Sequence, residues 1–311
     1  MKRAQHQYIE RETGEVHTER LYQDGLLNFI YNDLREHMPA VFRLLISGRT
    51  SKLLGQLNYD LPIGSLACRR FMRDQGMRWD ECVDAPAQLS TLRAIFERKI
   101  KYWQYRPLPA DAFAVVSPAD ARLLVGSFRT TSRLYIKDKF FEYAELIGRN
   151  KPRWAAMFEH GDFALMRLTP DKYHYNHVPV DGIVEDYYEI DGGYHACNPG
   201  AVVAMVTPFS KNRRVVTVID TDVAGGTGIG RVAVIEVVAL MIGDLVQCYS
   251  ETEYHDPRPI ARGMMLKRGA PKSLYRPGSS TTVLLFEPDR IRFAADIVRN
   301  QIRADVSSRF S

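Results

Sequence analysis

Cysteine is scarce and scattered in this chain. The 311 residues include four cysteines, Cys68, Cys82, Cys197 and Cys248, and no two of them form a C-x-x-C pair. This spacing indicates neither a disulfide framework nor a cysteine zinc site. We therefore expect isolated, buried thiols.

Long apolar runs are also missing. The longest candidate, Val232 to Val246, is interrupted by Glu236, Gly243 and Asp244, whereas a membrane-spanning helix needs roughly 18 apolar residues. The first 20 residues have no apolar core typical of a secretory signal, and their glutamates argue against a mitochondrial transit peptide. The sequence therefore predicts a cytoplasmic protein without a spanning helix.

A large excess of one charge is absent too. The net charge is +5, with acidic and basic residues interspersed, and 45% of the residues are hydrophobic. This composition is typical of a soluble globular protein with one large domain or two modest ones. An anionic membrane surface or nucleic acid is permitted as a partner but not required.

Two kinds of pattern divide the chain near residue 105. From Asp24 to about Phe96 apolar residues recur with helical spacing, flanked by basic side chains; such a stripe is usually core, but it is also found in helices on anionic lipid. Farther on, short β-type runs are separated by turn signals. They are FAVVS, FALMRL, AVVAMVT, RVVTVID, RVAVIEVVALMIG and TTVLLFE. We predict an α+β fold with a helical N-terminal region over 1–105, whose basic flanks would allow a membrane-facing surface, and a β-rich, sandwich-like or barrel-like domain over 106–311.

The glycine cluster GGTGIG lies at 225–230. It does not match the G-x-G-x-x-G dinucleotide fingerprint, because Arg231 stands where the last glycine is required and a strand-like run follows. We expect a loose hairpin between two strands.

The densest polar segment is LTPDKYHYNHVPVDG at 168–182, which contains His174 and His177. On one helical turn these histidines would suit a metal ion, with His160 or His195 as a third ligand. Flanking prolines favour a short turn instead, and general acid–base work or plain hydrogen bonding remain open explanations.

Two further elements complete a possible catalytic set. Asp120 ends the segment VVSPAD, and RPGSST at 276–281 places Ser279 after Gly278 just before a strand-like run. An acid, a histidine and a serine, here Asp120, His177 and Ser279, are the components of a nucleophilic triad. No G-x-S-x-G elbow surrounds the serine, which is unusual for a hydrolase.

These segments together resemble the pyruvoyl-dependent phosphatidylserine decarboxylases over nearly the whole chain. The resemblance is carried by YIERETGEVHTERLY, SKLLGQLNYD, VVSPADARLL, LTPDKYHYNHVPVDG, GYHACNP and RPGSSTTVLLFEP. Their joint occurrence in this order is more specific than any one of them.

The resemblance implies a self-processing enzyme. Ser279, activated by His177 and Asp120, would attack the carbonyl of Gly278 and divide the precursor into a β chain ending at 278 and an α chain that begins with a pyruvoyl group. That ketone would take up the amine of phosphatidylserine and accept the electrons released with carbon dioxide. His174 would contact the substrate carboxylate or supply a proton.

The position of the nucleophile depends on how the family pattern is aligned. Counting back from TTVLLFE without a gap gives Ser280, whereas the Gly-Ser pair gives Ser279. Glycine before the scissile bond leaves its carbonyl open to attack, so we expect Ser279, with Ser280 as the alternative. Glycines that are usual in the family are replaced here by Ala121, Val238 and Ser273.

The resemblance further implies a peripheral enzyme on the cytoplasmic side of a membrane, with a phospholipid substrate, no metal and no nucleic acid, assembled as a homodimer of processed αβ units. The alternatives are a decarboxylase of a free, for example aromatic, amino acid and an unprocessed, non-catalytic lipid-binding relative. A metal-dependent hydrolase built on His174 and His177 is a more distant alternative.

Overall fold

A computed structural model describes most of the chain. The described residues are 7–18, 30, 34–47, 50, 53, 57, 59–129, 133–136, 139–169, 171–195, 208–239, 244–276 and 280–301. Gly278, Ser279 and Cys197 lie outside them, as does the predicted run AVVAMVT.

The N-terminal part begins with a hairpin and continues with short helices. Its elements are β1 (Gln7–Ile9), β2 (Val16–Thr18), α1 (Arg35–His37), α2 (Pro39–Leu45), α3 (Ser65–Asp74), α4 (Leu92–Phe96) and α5 (Tyr102–Tyr105). Pro39 begins α2, and the Thr91 hydroxyl caps α4 by accepting a hydrogen bond from the Ala94 amide at 3.0 Å. These elements do not confirm a helical N-terminal region as a unit. No helix in the described ranges is long and apolar enough to cross a membrane.

A small core forms around α3. Cys68 and Met72 on α3 pack against Met77, Cys82 and Ile95. Cys68 and Cys82 are therefore buried free thiols, as expected, while the free thiol of Cys248 is only partly buried.

The remaining elements are mainly strands. They are β3 (Arg122–Ser127), β4 (Arg133–Ile136), β5 (Lys139–Glu142), α6 (Tyr143–Ile147), α7 (Pro152–Met157), β6 (Asp162–Leu168), β7 (Tyr175–His177), β8 (Gly182–Ile190), α8 (Pro208–Lys211), β9 (Arg214–Asp220), β10 (Arg231–Val237), β11 (Leu245–Gln247), β12 (Met265–Leu266), β13 (Pro271–Tyr275) and β14 (Ser280–Phe286).

Seven antiparallel strands form the central sheet, in the order β12-β8-β9-β10-β14-β6-β3. The sheet has open edges at β12 and β3, so the barrel-like alternative is wrong, while the α+β class agrees with the structure. Strands β9, β10 and β14 are almost continuously buried because core residues cover both of their faces. Helices α6 and α7 supply the core on one face.

A three-stranded sheet, β11-β13-β7, lies against the other face. Asn176 on β7 contacts Thr282 on β14, and Lys272 on β13 contacts Glu236 on β10. The two sheets are therefore layered, and the start of β14 lies beneath the strand that carries His177.

Two local predictions have different outcomes. The glycine cluster joins antiparallel strands β9 and β10, with the Gly228 amide bonded to the Thr221 carbonyl at 2.9 Å, so the hairpin is confirmed. The run FAVVS is not a strand: the Val116 amide reaches the Pro179 carbonyl, but the ladder begins only at Arg122.

Candidate active site

The two histidines of the 168–182 segment lie at strand β7. His177 ends the strand and His174 directly precedes it. Side chains alternate along an extended chain, so residues three apart lie on opposite sides. The two histidines therefore do not form the one-sided pair considered for a metal ion. Within the described ranges no three His, Cys, Asp or Glu side chains are grouped to hold a metal ion.

His177 has a hydrogen-bond partner at each ring nitrogen. Its Nδ1 lies 2.7 Å from the Gly269 carbonyl oxygen, which can only accept, so Nδ1 carries a proton. Its Nε2 lies 3.0 Å from the Tyr173 hydroxyl. Burial lowers the pKa of His177 to about 4. The ring is therefore neutral near pH 7, with its basic lone pair on Nε2.

The hydroxyl groups of two tyrosines, Tyr173 and Tyr254, form a chain that starts at this lone pair. The hydroxyl of Tyr173 lies 2.6 Å from that of Tyr254, which accepts from the Ile100 amide at 3.1 Å and lies 2.8 Å from the Ile100 carbonyl oxygen. Tyr102 packs edge-on against the His177 ring, with centroids 4.6 Å apart. These contacts fix the ring orientation, a requirement for a base that must meet one particular proton.

Asp120 lies near His177 but has another partner. The His177 amide donates to the Pro118 carbonyl at 2.7 Å, which brings the bend containing Asp120 to the end of β7. The Asp120 carboxylate accepts from Arg106 Nε at 3.0 Å and Nη2 at 2.8 Å. Its charge raises the pKa of His177, while that of Arg106 lowers it, and burial remains the largest cause of the shift. Asp120 therefore acts on His177 through space, since no hydrogen bond joins these two residues in the structure as described.

His174 is completely buried. Its Nδ1 donates to the Lys172 carbonyl at 2.8 Å, and its ring meets the Phe96 ring edge-on at 5.2 Å. Its own carbonyl accepts from the Tyr275 amide at 3.0 Å. Tyr275 in turn donates to the Thr281 carbonyl at 2.9 Å, so His174 is connected to the start of β14.

Ser280 begins β14 and pairs with Leu168 of β6. It is completely buried, and its hydroxyl has no hydrogen-bond partner among the residues that the structure covers. Because strand side chains alternate, Ser280 and Thr282 share a face, and the Thr282 hydroxyl donates to Asn176 at 2.9 Å. The Ser280 hydroxyl is therefore on the face covered by the strand of His177.

Sequence reasoning missed several residues at this site. Tyr173, Tyr254 and Arg106 contact the predicted His177 and Asp120 directly or through one another. Tyr173 lies within the segment already singled out, whereas nothing in the local sequence marks Tyr254 or Arg106. Glu236 did carry a signal: it interrupts an apolar run that became central strand β10. A charge at such a position requires a buried partner.

The fold and the site define an α+β protein in which a neutral histidine with a nearby carboxylate lies on the small sheet, and this sheet covers the face of β14 that carries a buried serine hydroxyl. A family model described as phosphatidylserine decarboxylase matches residues 92–310. The chain belongs to the phosphatidylserine decarboxylase family, whose members are carboxy-lyases.

Curated relatives extend the similarity over nearly the whole chain. A phosphatidylserine decarboxylase proenzyme of Fusobacterium nucleatum is 26% identical, covering 94% of this chain and 91% of the relative. One from Chlamydia trachomatis is 30% identical, covering 94% and 90%. The proenzyme 3 of Schizosaccharomyces pombe is 28% identical and covers 93% of this chain but only 28% of its own length.

Proposed function

We propose that this chain is a precursor that cleaves itself at the Gly278-Ser279-Ser280 segment and then decarboxylates phosphatidylserine to phosphatidylethanolamine. The observation that carries this proposal is the buried Ser280 hydroxyl, which lacks a partner within the described structure at the start of β14. Relatives named as proenzymes over 94% of the chain support it.

In the self-cleavage step His177 acts as the base. Nε2 of His177 accepts the serine proton while the serine oxygen attacks the preceding carbonyl carbon; the C–N bond breaks, and the proton passes to the new amine. Asp120 stabilises the protonated histidine by its charge. Loss of the Cα proton and of the ester carboxylate, followed by addition of water and release of ammonia, leaves the α chain with a pyruvoyl end.

Of the two serines, we assign the nucleophile to Ser280. Its side chain lies on the same side of β14 as that of Thr282, the side that the strand of His177 covers. It is also buried, which suits a group that must react with one particular carbonyl. If the nucleophile is instead Ser279, which the sequence favours because it follows Gly278, the α chain is one residue longer. The two assignments are therefore separable by mass.

The residues around the start of β14 fit the proposed pyruvoyl group. A serine hydroxyl that is buried without a partner is the atom that self-processing would consume. The group would supply an electron sink for the loss of carbon dioxide. His174, on the opposite side of β7 from His177, would supply the proton that replaces the carboxylate.

The N-terminal part offers a surface for the lipid. Leu44, Leu61 and Leu66 are 62%, 62% and 82% exposed, and Arg70 and Arg73 on α3 are also exposed. Apolar side chains that insert among lipid tails and arginines that meet anionic headgroups characterise peripheral membrane binding. We propose that this surface, formed by those residues of 38–73 that the structure describes as exposed, lies on the cytoplasmic side of a membrane.

The first test is the denatured mass of the purified protein. We expect two chains split at 279/280, the smaller with a carbonyl that hydrazine traps; a split at 278/279 assigns Ser279 instead. The variant His177→Gln should remain one chain, whereas His174→Gln should be cleaved but inactive. A wild-type protein that remains a single chain after prolonged incubation would refute self-processing and leave the lipid-binding alternative.

The second test separates the substrates. Release of carbon dioxide from phosphatidylserine in vesicles, but not from free serine or aromatic amino acids, is expected. The reverse preference would identify the free amino-acid decarboxylase. Light scattering of the processed protein should give the mass of two αβ units if the proposed homodimer forms.

A further inference from the structure

A charged network connects strands β7, β10, β11 and β13, and its ion pair is completely buried. Lys272 Nζ donates to Glu236 Oε2 at 2.7 Å and to Gln247 Oε1 at 3.1 Å, and Gln247 Nε2 donates to Glu236 Oε2 at 3.0 Å. Lys272 and Glu236 have no exposed side-chain surface. The other carboxylate oxygen, Oε1, accepts from Asn176 Nδ2 at 3.2 Å and from the Ser273 hydroxyl. Glu236 thus accepts four hydrogen bonds, the number that a carboxylate can accommodate.

The network fixes the orientation of Asn176. Its Nδ2 must face the Glu236 carboxylate and the Ser273 oxygen, which lies 3.2 Å away. Its Oδ1 is thereby turned to the Thr282 hydroxyl, which donates to it at 2.9 Å. A flipped amide would set its oxygen against the carboxylate, so only one arrangement is favourable.

Asn176 joins the two halves of the proposed site. It stands next to His177 on β7, while Thr282 is two residues beyond Ser280 on β14. Glu236 is paired directly with Thr282 across the β10–β14 ladder. The position of the start of β14 relative to the strand that carries His177 is thus set through one amide and one threonine hydroxyl.

We propose that Glu236, Lys272, Asn176 and Thr282 are positioning residues that hold the start of β14 in register with the histidine strand for self-cleavage, an inference that rests on the proposed function. A buried ion pair is weak evidence for stability, because apolar side chains of similar size are often as stabilising. Its use here is geometric: the charges orient Asn176, and Asn176 orients Thr282.

Neighbouring threonines supply a matched pair of variants. Thr281 and Thr282 are both completely buried, but alternation directs Thr281 to the opposite face. The Thr281 hydroxyl has no partner in the described part of the chain, whereas that of Thr282 bonds to Asn176. Thr282→Val and Thr281→Val therefore make the same chemical change, and only the first breaks the connection.

The experiment follows the conversion of newly synthesised precursor into two chains, well below each variant's unfolding temperature. Thr282→Val should cleave at least about tenfold more slowly than wild type, since misplacing reacting groups by about 1 Å costs about a hundredfold in rate. Thr281→Val should stay within about twofold of wild type. Thr282→Ser, which keeps the hydroxyl, should recover most of the rate. Equal rates for the two valine variants would overturn the proposal.

A second variant covers the case in which Thr282→Val does not fold. The double substitution Lys272→Met with Glu236→Met replaces the ion pair by apolar side chains of similar size. We expect a folded protein with slowed cleavage, because Asn176 has lost its anchor. Cleavage at the wild-type rate would overturn the proposal. A wild-type precursor that never cleaves would instead refute the proposed function itself.

Discussion

Two buried histidines should make the fold sensitive to mild acid. Burial lowers the pKa of both His177 and His195 to about 4, whereas histidine in an unfolded chain titrates near 6.5. His195 is 8% exposed, and its ring packs near that of Phe42. Its backbone amide donates to Asn212 Oδ1 at 2.8 Å, which holds the backbone in place.

The sign and size of the effect follow from proton linkage. Between pH 6.5 and 4 the unfolded chain binds a proton at each of these histidines and the folded chain does not, so stability falls as the pH falls through this window. At pH 5 the difference from 6.5 is about 1.5 pH units, or about 2 kcal/mol for each histidine. The pair should therefore lose about 4 kcal/mol, a large part of a typical 5–15 kcal/mol free energy of unfolding.

The assay is urea unfolding at pH 7 and pH 5, in a background with Ser279→Ala and Ser280→Ala so that the protein remains one chain. His195→Gln should reduce the pH-dependent loss of stability to about half, because one of two titrating groups has gone. His160→Gln, at an exposed histidine, is the control for the substitution of histidine by glutamine.

Absolute stability is not the quantity compared, because His195→Gln also alters packing. The decisive number is the difference in unfolding free energy between pH 7 and pH 5 for each variant. A background protein that loses less than about 1 kcal/mol, or a His195→Gln variant that loses as much as the background, would contradict the linkage argument.

The remaining predictions concern self-cleavage and membrane binding. The Asp120 charge raises the pKa of His177, so Asp120→Asn should move the acid limb of the cleavage rate to lower pH. The Arg106 charge lowers that pKa, so Arg106→Gln should move the acid limb to higher pH. Shifts of both variants in the same direction would contradict the assignment of His177 as the base. Leu66→Gln should weaken flotation with anionic vesicles about tenfold, since a buried leucine contributes roughly 1.5–3 kcal/mol. Val298→Gln, a change at an exposed residue outside the proposed surface, should not, and equal losses would refute the surface.

The sequence predicted the central strands better than their surroundings. Strands β9 and β10 coincide with the largely apolar runs RVVTVID and RVAVIEV because nearly every residue of each strand is buried. The edge strand β3 was missed in favour of FAVVS. Edge pairing is decided by contacts with a distant segment, here β6, and local composition carries little information about it.

The candidate site was predicted in its residue types and not in its contacts. His177 and Asp120 were expected to be partners, yet His177 bonds to Gly269 and Tyr173, and Asp120 to Arg106. Gly269 lies 92 residues from His177 along the chain. Partners so distant are chosen by the sheet register, which no short motif specifies.

The buried network also gives a physical meaning to one departure from the family pattern. Ser273 stands where glycine is usual, and its hydroxyl donates to Glu236 while its oxygen accepts from Asn176. Val238, another such position, directly follows β10 and is buried in the core on the opposite face of the central sheet. A glycine at 273 would leave Glu236 one donor short and Asn176 with one contact fewer. In this chain the serine therefore contributes to the same restraint that aligns β14 with the histidine strand, and a fully satisfied network is the form in which a buried charge is least costly.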